Sequence, residues 1–159
     1  MTIAIYPGSF DPITNGHLDI LKSGSEIFDK VIIAVSYNIN KKGFLTVDER
    51  VNLIKESVAQ YKNVEVDAFE GLTVEYAKKR GVDTLLRGLR TSFDFEYELQ
   101  LSQANNALNK NIKTVFLITK PEFNFISSSM VREILLNKGD ISKFVPKNVE
   151  EYLLSKHDI

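Results

Sequence analysis

A nearly unbroken run of β-branched and apolar residues over Lys30–Ser36 (KVIIAVS) constrains the fold more than any other feature of this chain. A strand with one solvent-exposed face alternates apolar and polar residues, whereas a strand covered on both faces has no need to. The run therefore predicts a central parallel strand with helices packed against both faces.

Four further short segments have the composition of strands, and helical patterns separate them. The strand segments are Ile3–Tyr6, Val64–Ala68, Thr84–Leu86 and Lys113–Ile118. The spacing of Phe95, Leu99 and Ser102 predicts a long helix between the last two of them. Regular alternation with short connections predicts an α/β fold, a doubly wound five-stranded parallel sheet with C-terminal helices.

Length and charge limit the possible functions. The chain has 159 residues, 43% of them hydrophobic, which predicts a single domain spanning residues 1–159. A formal net charge of -1 argues against a nucleic-acid partner. The sequence contains no cysteine and no apolar run near the ~20 residues of a membrane span. With no signal peptide apparent after Met1, a cytoplasmic location is expected.

The segment Gly8–His17 joins the first strand to a helix through glycines and prolines. Thr14 or Asn15 can cap that helix, and His17 falls on the apolar stripe formed by Ile13, Ile20 and Ile27. Because the free amides and the dipole of a helix N-terminus attract anions, this turn is a candidate phosphate site. The alternative is a core histidine whose ring nitrogens bond to backbone groups.

Candidate site residues follow the other four strands as well, and in a doubly wound sheet these positions meet at one rim. They are Lys41 and Lys42, Leu72 and Thr73, Arg87 and Arg90, and the run Ser127–Ser129. Simpler interpretations exist for three of these groups: a solvated loop for the lysines, surface charge for the arginines, and a helix cap for the serines. We expect all these groups to converge with Ser9 and His17.

Two motifs connect these residues to a known group of enzymes. Thr14-Asn15-Gly16-His17 matches the [T/H]-x-G-H signature of the nucleotidyltransferase superfamily, and Ile126–Arg132 matches its I-S-S-[S/T]-x-x-R signature. Within that superfamily the whole chain resembles the phosphopantetheine adenylyltransferases of bacteria, whose D-F-E-Y-E stretch appears at Asp94–Glu98. Ser9 stands where threonine is commoner, a change that preserves the hydroxyl.

This resemblance implies a Rossmann-like fold and the transfer of AMP from ATP to 4′-phosphopantetheine, giving dephospho-coenzyme A and pyrophosphate. It also implies Mg²⁺ bound through the nucleotide phosphates, without a dedicated set of protein ligands, and assembly into a hexamer. No membrane partner is expected.

The resemblance implies roles for individual residues too. His17 would be the catalytic residue, donating a hydrogen bond to the α-phosphate. The nucleotide would contact Ser9, Phe10, His17, Gly88, Leu89, Arg90, Glu98, Ser127, Ser128 and Ser129. The acceptor would contact Ser9, Lys41, Thr73 and Arg87. The role of Arg132 stays open between added positive charge and pairing with Glu133 or another carboxylate.

Two other functions compete with this one. The chain could be a nucleotidyltransferase acting on nicotinamide mononucleotide or on a choline- or glycerol-type phosphate. The segments Arg87–Arg90 and Asp94–Glu98 favour the pantetheine branch instead. A nucleotide-binding regulatory protein without catalysis is the other possibility, and the presence of His17 with both signatures argues against it.

Overall fold

Five strands alternate with helices in the computed structural model, which describes residues 1–158. The strands are β1 (Ile3–Gly8), β2 (Lys30–Tyr37), β3 (Val64–Glu70), β4 (Thr84–Leu89) and β5 (Lys113–Ile118). The helices are α1 (Asn15–Ile27), α2 (Val47–Ser57), α3 (Thr73–Arg80), α4 (Ser92–Leu108), α5 (Ser128–Leu136) and α6 (Lys147–Lys156), with a 3-10 turn over Pro121–Phe123.

All strand pairs are parallel, and the spatial order is β3-β2-β1-β4-β5. Ile3 of β1 lies opposite Lys30 of β2, and on the other side Ile5 lies opposite Leu85 of β4. The predicted doubly wound sheet is therefore confirmed. Because the order reverses between β1 and β4, the loops after these two strands diverge and leave a crevice at their carboxyl ends.

The strand predicted from the β-branched run is buried on both faces, as expected. Residues Val31 to Val35 of β2 are at most 2% exposed. Val31, Ile33 and Val35 pack with α1, α2, α5 and α6, whereas Ile32 and Ala34 pack with α3 on the opposite face. The middle strand is β1, however, so that β2 is an inner strand flanked by β1 and β3.

Local signals set several helix ends. Thr46 caps α2 in a reciprocal capping box with Glu49, as the T-x-x-E pattern predicts. Gly81 follows α3 in the left-handed conformation, with φ of 66°. None of the helices within residues 1–158 combines the length and apolar character needed to span a bilayer.

Two apolar patterns do not mark buried faces. Ile27, placed by its spacing on the inward stripe of α1, is 58% exposed and is the last residue of that helix. Phe95 and Leu99, whose spacing predicts α4, are also exposed, and Glu98 is the buried residue of that helix. The helix α4 therefore presents apolar side chains to solvent.

Candidate active site

A cavity of about 260 Å³ lies at the carboxyl ends of β1 and β4, where the strand order reverses. Side chains of α1 and α4 and the start of α5 complete its wall. The sequence-predicted site residues that line it are Ser9, Phe10, His17, Arg87, Gly88, Arg90, Glu98, Ser127 and Ser128. The structure thus brings together the groups that follow β1, β4 and β5.

The turn after β1 is shaped by a close approach between Gly8 and Phe10. Phe10 has a φ of 47°, in the left-handed region, and its ring folds back so that a Cβ on Gly8 would lie 3.0 Å from it. The same ring makes edge-to-face contacts with Tyr6 and His17, with centroids 5.3 and 5.0 Å apart. A side chain at Gly8 would displace Phe10 and with it the packing that holds the ring of His17.

His17 occupies the third position of α1 and completes a capping box with Thr14. The backbone amide of Thr14 donates to Nδ1 of His17 at 3.0 Å, and the amide of His17 donates to Oγ1 of Thr14 at 3.3 Å. An amide can only donate, so Nδ1 is an acceptor and the proton of the neutral ring is on Nε2. The nitrogen left for a ligand is therefore a hydrogen-bond donor.

The same surroundings keep the imidazole neutral. Burial, reinforced by the positive charges of Arg90 and Arg87, lowers the pKa of His17 to about 3. At neutral pH the ring is then a neutral donor and cannot act as a general acid by losing a proton from an imidazolium. This chemistry suits stabilisation of a phosphate oxygen more than proton transfer.

Arg87 forms a two-pronged ion pair with Glu98 across the cavity. Its Nε lies 2.8 Å from Oε2 and its Nη2 lies 2.5 Å from Oε1, and Nη1 donates to the carbonyl of Pro7 at 2.7 Å. Burial opposes the charge of Arg87, but the bonds to Glu98 outweigh it and raise its pKa. Three of the five guanidinium N–H groups are engaged, which leaves two for a ligand.

Arg90 connects the end of β4 to the start of the ISSSxxR segment. Its Nε lies 3.1 Å from Oδ2 of Asp94, and Nη1 donates to the carbonyl of Ile126 at 2.9 Å. The backbone amide of Arg90 also donates to Asp94. The acidic stretch that starts α4 is thus used to fix two cavity arginines, through Asp94 and Glu98, and not only to complement the helix dipole.

The serine run forms the N-terminus of α5, as predicted. Ser127 is the cap and accepts from the amide of Met130 at 3.1 Å, while the hydroxyl of Ser128 donates to the carbonyl of Pro12 at 2.7 Å. Arg132, one turn later, donates to the carbonyl of Asp11 at 2.7 Å and to Ser129. The first amides of α5 have no acceptor within the helix; that of Met130 bonds to Ser127, and a helix N-terminus of this kind is suited to an anion.

The other predicted residues lie outside this cavity. A smaller cavity of about 30 Å³ adjoins it behind the Arg87–Glu98 pair and is lined by Thr73 together with Ser102 and Asn105 of α4. Lys41 and Lys42 are exposed and line neither cavity, and neither do Leu89 and Ser129. The expected convergence of all five groups at one rim is therefore incomplete: the lysines of the loop after β2 line neither cavity.

Comparison with known proteins assigns a family to this arrangement. The sequence model of the cytidylyltransferase-like family matches residues 5–134, which include both signatures, most of β1 and all of β2 to β5. The chain belongs to the cytidylyltransferase-like family. It is also 48% identical over 153 residues to the phosphopantetheine adenylyltransferase of Clostridium perfringens (strain SM101 / Type A), covering 96% of this chain and 93% of the relative.

Two other relatives of this cytidylyltransferase-like chain have the same name and similar coverage. The phosphopantetheine adenylyltransferase of Alkaliphilus metalliredigens is 48% identical over 156 residues, covering 98% of this chain and 99% of the relative. That of Caldanaerobacter subterraneus subsp. tengcongensis is 49% identical over 156 residues, with 98% of each chain covered.

Sequence reasoning missed several residues of this cytidylyltransferase-like site. Tyr6 lines the cavity, and burial raises the pKa of its phenol. Its inward direction could have been read from the alternation Ala4, Tyr6 along β1. Thr119 and Ile20 also line the cavity. Arg132 holds the main chain of the first turn, a contact between segments 121 residues apart that no local pattern encodes.

Proposed function

We propose that this chain transfers AMP from ATP to 4′-phosphopantetheine, giving dephospho-coenzyme A and pyrophosphate. The observation that carries the proposal is the 48–49% identity, over nearly the whole chain, to relatives named phosphopantetheine adenylyltransferase. The cavity at the switch point supplies groups suited to such a transfer: a neutral histidine donor, two arginines and a helix N-terminus.

In the proposed reaction, a phosphate oxygen of the acceptor attacks the α-phosphorus of ATP. A P–O bond forms to the acceptor while the bond from the α-phosphorus to the bridging oxygen of the β-phosphate breaks, and that electron pair leaves with pyrophosphate. The attacking phosphate is already an anion, so no base needs to remove a proton from it. Catalysis then depends on alignment and on stabilising charge in the transition state.

Each cavity group has a proposed part in this reaction. Nε2–H of His17 donates to a non-bridging oxygen of the α-phosphate, where negative charge develops. The free amides at the start of α5, with Ser127 and Ser128 beside them, hold the β- and γ-phosphates. Arg90 contacts the nucleotide from the β4 side.

The acceptor is proposed to lie across the Arg87–Glu98 pair, with its phosphate towards the larger cavity and its pantetheine arm towards the smaller one. The two free N–H groups of Arg87 and the ammonium of Lys41 would hold the phosphate. Thr73 lines the smaller cavity with two polar side chains of α4, which offer hydrogen-bonding groups to the amides of the pantetheine arm. Ser9, in the turn between the two substrates, would contact both.

Mg²⁺ is proposed to bind through the nucleotide phosphates. The two cavity carboxylates, Asp94 and Glu98, are occupied by Arg90 and Arg87, and residues 1–158 contain no cluster of three His, Asp or Glu side chains that could hold a metal ion. When bound, the ion would offset charge on the phosphate oxygens.

The proposed working form is a cytoplasmic homo-hexamer of a single-domain chain. Its support in the structure is the number of exposed apolar side chains on α4 and β5: Phe93, Tyr97 and Leu108 are exposed along α4, with Phe93 at 86%, and Ile118 at the end of β5 is 82% exposed. Exposed apolar side chains are a common feature of subunit interfaces.

An acceptor panel tests the function. Pyrophosphate release is measured after mixing the protein with ATP, Mg²⁺ and, separately, 4′-phosphopantetheine, nicotinamide mononucleotide, choline phosphate and glycerol 3-phosphate. Release with 4′-phosphopantetheine alone supports the proposal, and mass spectrometry should then find dephospho-coenzyme A. Pyrophosphate release with one of the other three acceptors refutes the proposal, and so does a lack of release with all four.

A further inference from the structure

The carboxylate of Asp11 ties together two loops that lie far apart in sequence. Its Oδ2 accepts from the amide of Phe44 and its Oδ1 accepts from the amide of Leu45, each at 2.8 Å. Asp11 belongs to the turn after β1, while the two amides end the loop after β2 that carries Lys41. The residue is only 8% exposed, so that both bonds are shielded from competing water.

A second hydrogen bond joins the same two regions, this time from a side chain on the β2 side to a main-chain carbonyl of the turn after β1. Arg50, in the helix that follows the lysine loop, is 6% exposed and donates from Nη1 to the carbonyl of Ser9 at 3.1 Å. The loop is therefore fastened at its end by Asp11 and just beyond its end by Arg50. Both contacts go to the turn that contributes Ser9 and Phe10 to the cavity wall.

Gly43 shows how closely the two loops approach. A Cβ on Gly43 would lie 2.8 Å from the carbonyl oxygen of Leu45 and 3.1 Å from both Oδ2 of Asp11 and Nη2 of Arg50. No side chain fits there without moving one of these groups. The position and path of the loop thus depend on this contact.

A short turn connects Lys41 to the hydrogen bonds at Phe44 and Leu45. The amide of Lys41 donates to the carbonyl of Asn38 at 2.9 Å, and the amide of Asn40 donates to the side chain of Asn38 at the same distance. Lys41 is thus part of a hydrogen-bonded turn that ends three residues before Phe44. A shift of the anchor at Phe44 and Leu45 would displace this turn relative to the cavity.

The main chain at Asp11 is bonded to the start of α5, the part of the cavity wall proposed to hold the nucleotide phosphates. Its main-chain carbonyl accepts from Arg132, and the next carbonyl, that of Pro12, accepts from Ser128. Asp11 therefore links the N-terminus of α5 to the lysine loop, although its own side chain does not line the cavity.

We propose that Asp11 is a positioning residue for the acceptor, which sets the place of Lys41 relative to the Ser9–Phe10 turn. The proposal rests on the proposed function, because it takes Lys41 as a contact of the acceptor phosphate. Asp11 acts only through the loop, so its effect depends on the presence of Lys41.

A double-mutant cycle tests this dependence. Asp11→Asn weakens both bonds to the loop and is expected to raise the KM for 4′-phosphopantetheine about tenfold, with the Kd for ATP changed by less than about twofold. Lys41→Ala should also raise that KM. If Asp11 acts through Lys41, the double variant Asp11→Asn/Lys41→Ala is no worse than Lys41→Ala alone. Defects that multiply, or an unchanged KM in Asp11→Asn, overturn the proposal.

Hydrogen exchange gives a readout that does not need turnover. The amides of Phe44 and Leu45 should be protected in the wild-type protein and should exchange at least about tenfold faster in Asp11→Asn. Asp29→Asn is the matched control, because Asp29 accepts two bonds from Thr2, far from the cavity. It should change neither the exchange at Phe44 and Leu45 nor the KM.

A second variant covers the case in which Asp11→Asn does not fold, and a binding measurement covers the case in which the wild-type protein shows no turnover. If Asp11→Asn does not fold, Gly43→Ala crowds the same contact without removing a polar group, and the cycle with Lys41→Ala is judged by the same criterion. If the wild-type protein does not turn over 4′-phosphopantetheine, the proposed function fails by itself. Calorimetric Kd values for 4′-phosphopantetheine then replace KM in the cycle, and absence of binding overturns the role of Asp11 as well.

Discussion

His17 closes the capping box of Thr14 with an imidazole nitrogen, in the position where such boxes usually have a glutamate or glutamine. The bond has two consequences. It fixes the ring against the first turn of α1, and it leaves Nε2–H as the donor available to a ligand. A helix cap and a proposed catalytic donor are thus the same side chain.

Replacing His17 should separate these two roles. Glutamine can still accept from the amide of Thr14, so His17→Gln should keep most of the stability of the cap. Both His17→Gln and His17→Ala lose the rigid Nε2–H donor, and kcat should fall by ~10²-fold or more in each, with ATP affinity nearly unchanged. Steady-state rates, ATP titration and thermal melts check this. A His17→Gln protein with wild-type kcat would remove His17 from the catalytic role.

The low pKa of His17 predicts a pH dependence of stability. An unfolded chain protonates this histidine near pH 6.5, whereas burial, with Arg90 and Arg87, lowers the pKa in the folded protein to about 3. The contribution of the neutral ring is therefore complete above pH 6.5 and decreases as the pH falls towards 3. The slope is ~1.4 kcal/mol per pH unit in that window.

His17→Gln lacks this dependence and provides the comparison. Between pH 7 and pH 5 the wild-type protein should lose about 2 kcal/mol more unfolding free energy than the variant. Urea denaturation at both pH values measures the difference. Parallel losses in the two proteins would show that the folded protein protonates His17 as readily as the unfolded chain does.

Arg87 should be more important for the acceptor than for ATP. Arg87→Lys keeps a positive charge beside Glu98 but loses the planar guanidinium. Only the guanidinium can hold this carboxylate with two N–H groups and offer others to a phosphate. The KM for 4′-phosphopantetheine should rise about tenfold or more, with the Kd for ATP changed by less than about threefold. Equal losses for both substrates would contradict the assignment.

Arg80→Lys is the matched control for that variant. Arg80 also forms ion pairs, with Glu65 and Asp67, but it is the last residue of α3 and does not line the main cavity. Its replacement should leave both substrate constants unchanged. Arg87→Ala is less informative, because removing one partner of a buried pair leaves Glu98 uncompensated, at a cost of about 3–5 kcal/mol.

The exposed apolar surface of α4 predicts self-association. Light scattering at micromolar concentration should give a mass near six times the 18.0 kDa of the chain. Phe93→Ser and Leu108→Ser, on α4, should shift the distribution towards smaller species, whereas Leu136→Ser, an exposed apolar position on α5, should not. A wild-type monomer would refute the hexamer, and unaffected assembly in the α4 variants would place the interface elsewhere.

The sequence by itself determined the elements and their order. The β-branched run of β2, the T-x-x-E box of α2 and the glycine after α3 depend on neighbours within a few residues, so that local chemistry suffices to predict them. The alternation of strands and helices then specified the doubly wound sheet and the end of the sheet at which the main cavity lies. The signatures that contain His17 and Ser127–Ser128 marked two walls of the cavity.

Only the tertiary structure decided which polar side chains bond to one another and which line the cavity. Arg87 pairs with Glu98 eleven residues away, Asp11 bonds to amides more than thirty residues away, and Lys41 stays outside the cavity. These contacts depend on distances between separate loops, which hydrophobic periodicity does not encode. The exposure of Phe95 and Leu99 has the same origin, since the spacing of a helix specifies which residues share a face but not whether another surface covers that face.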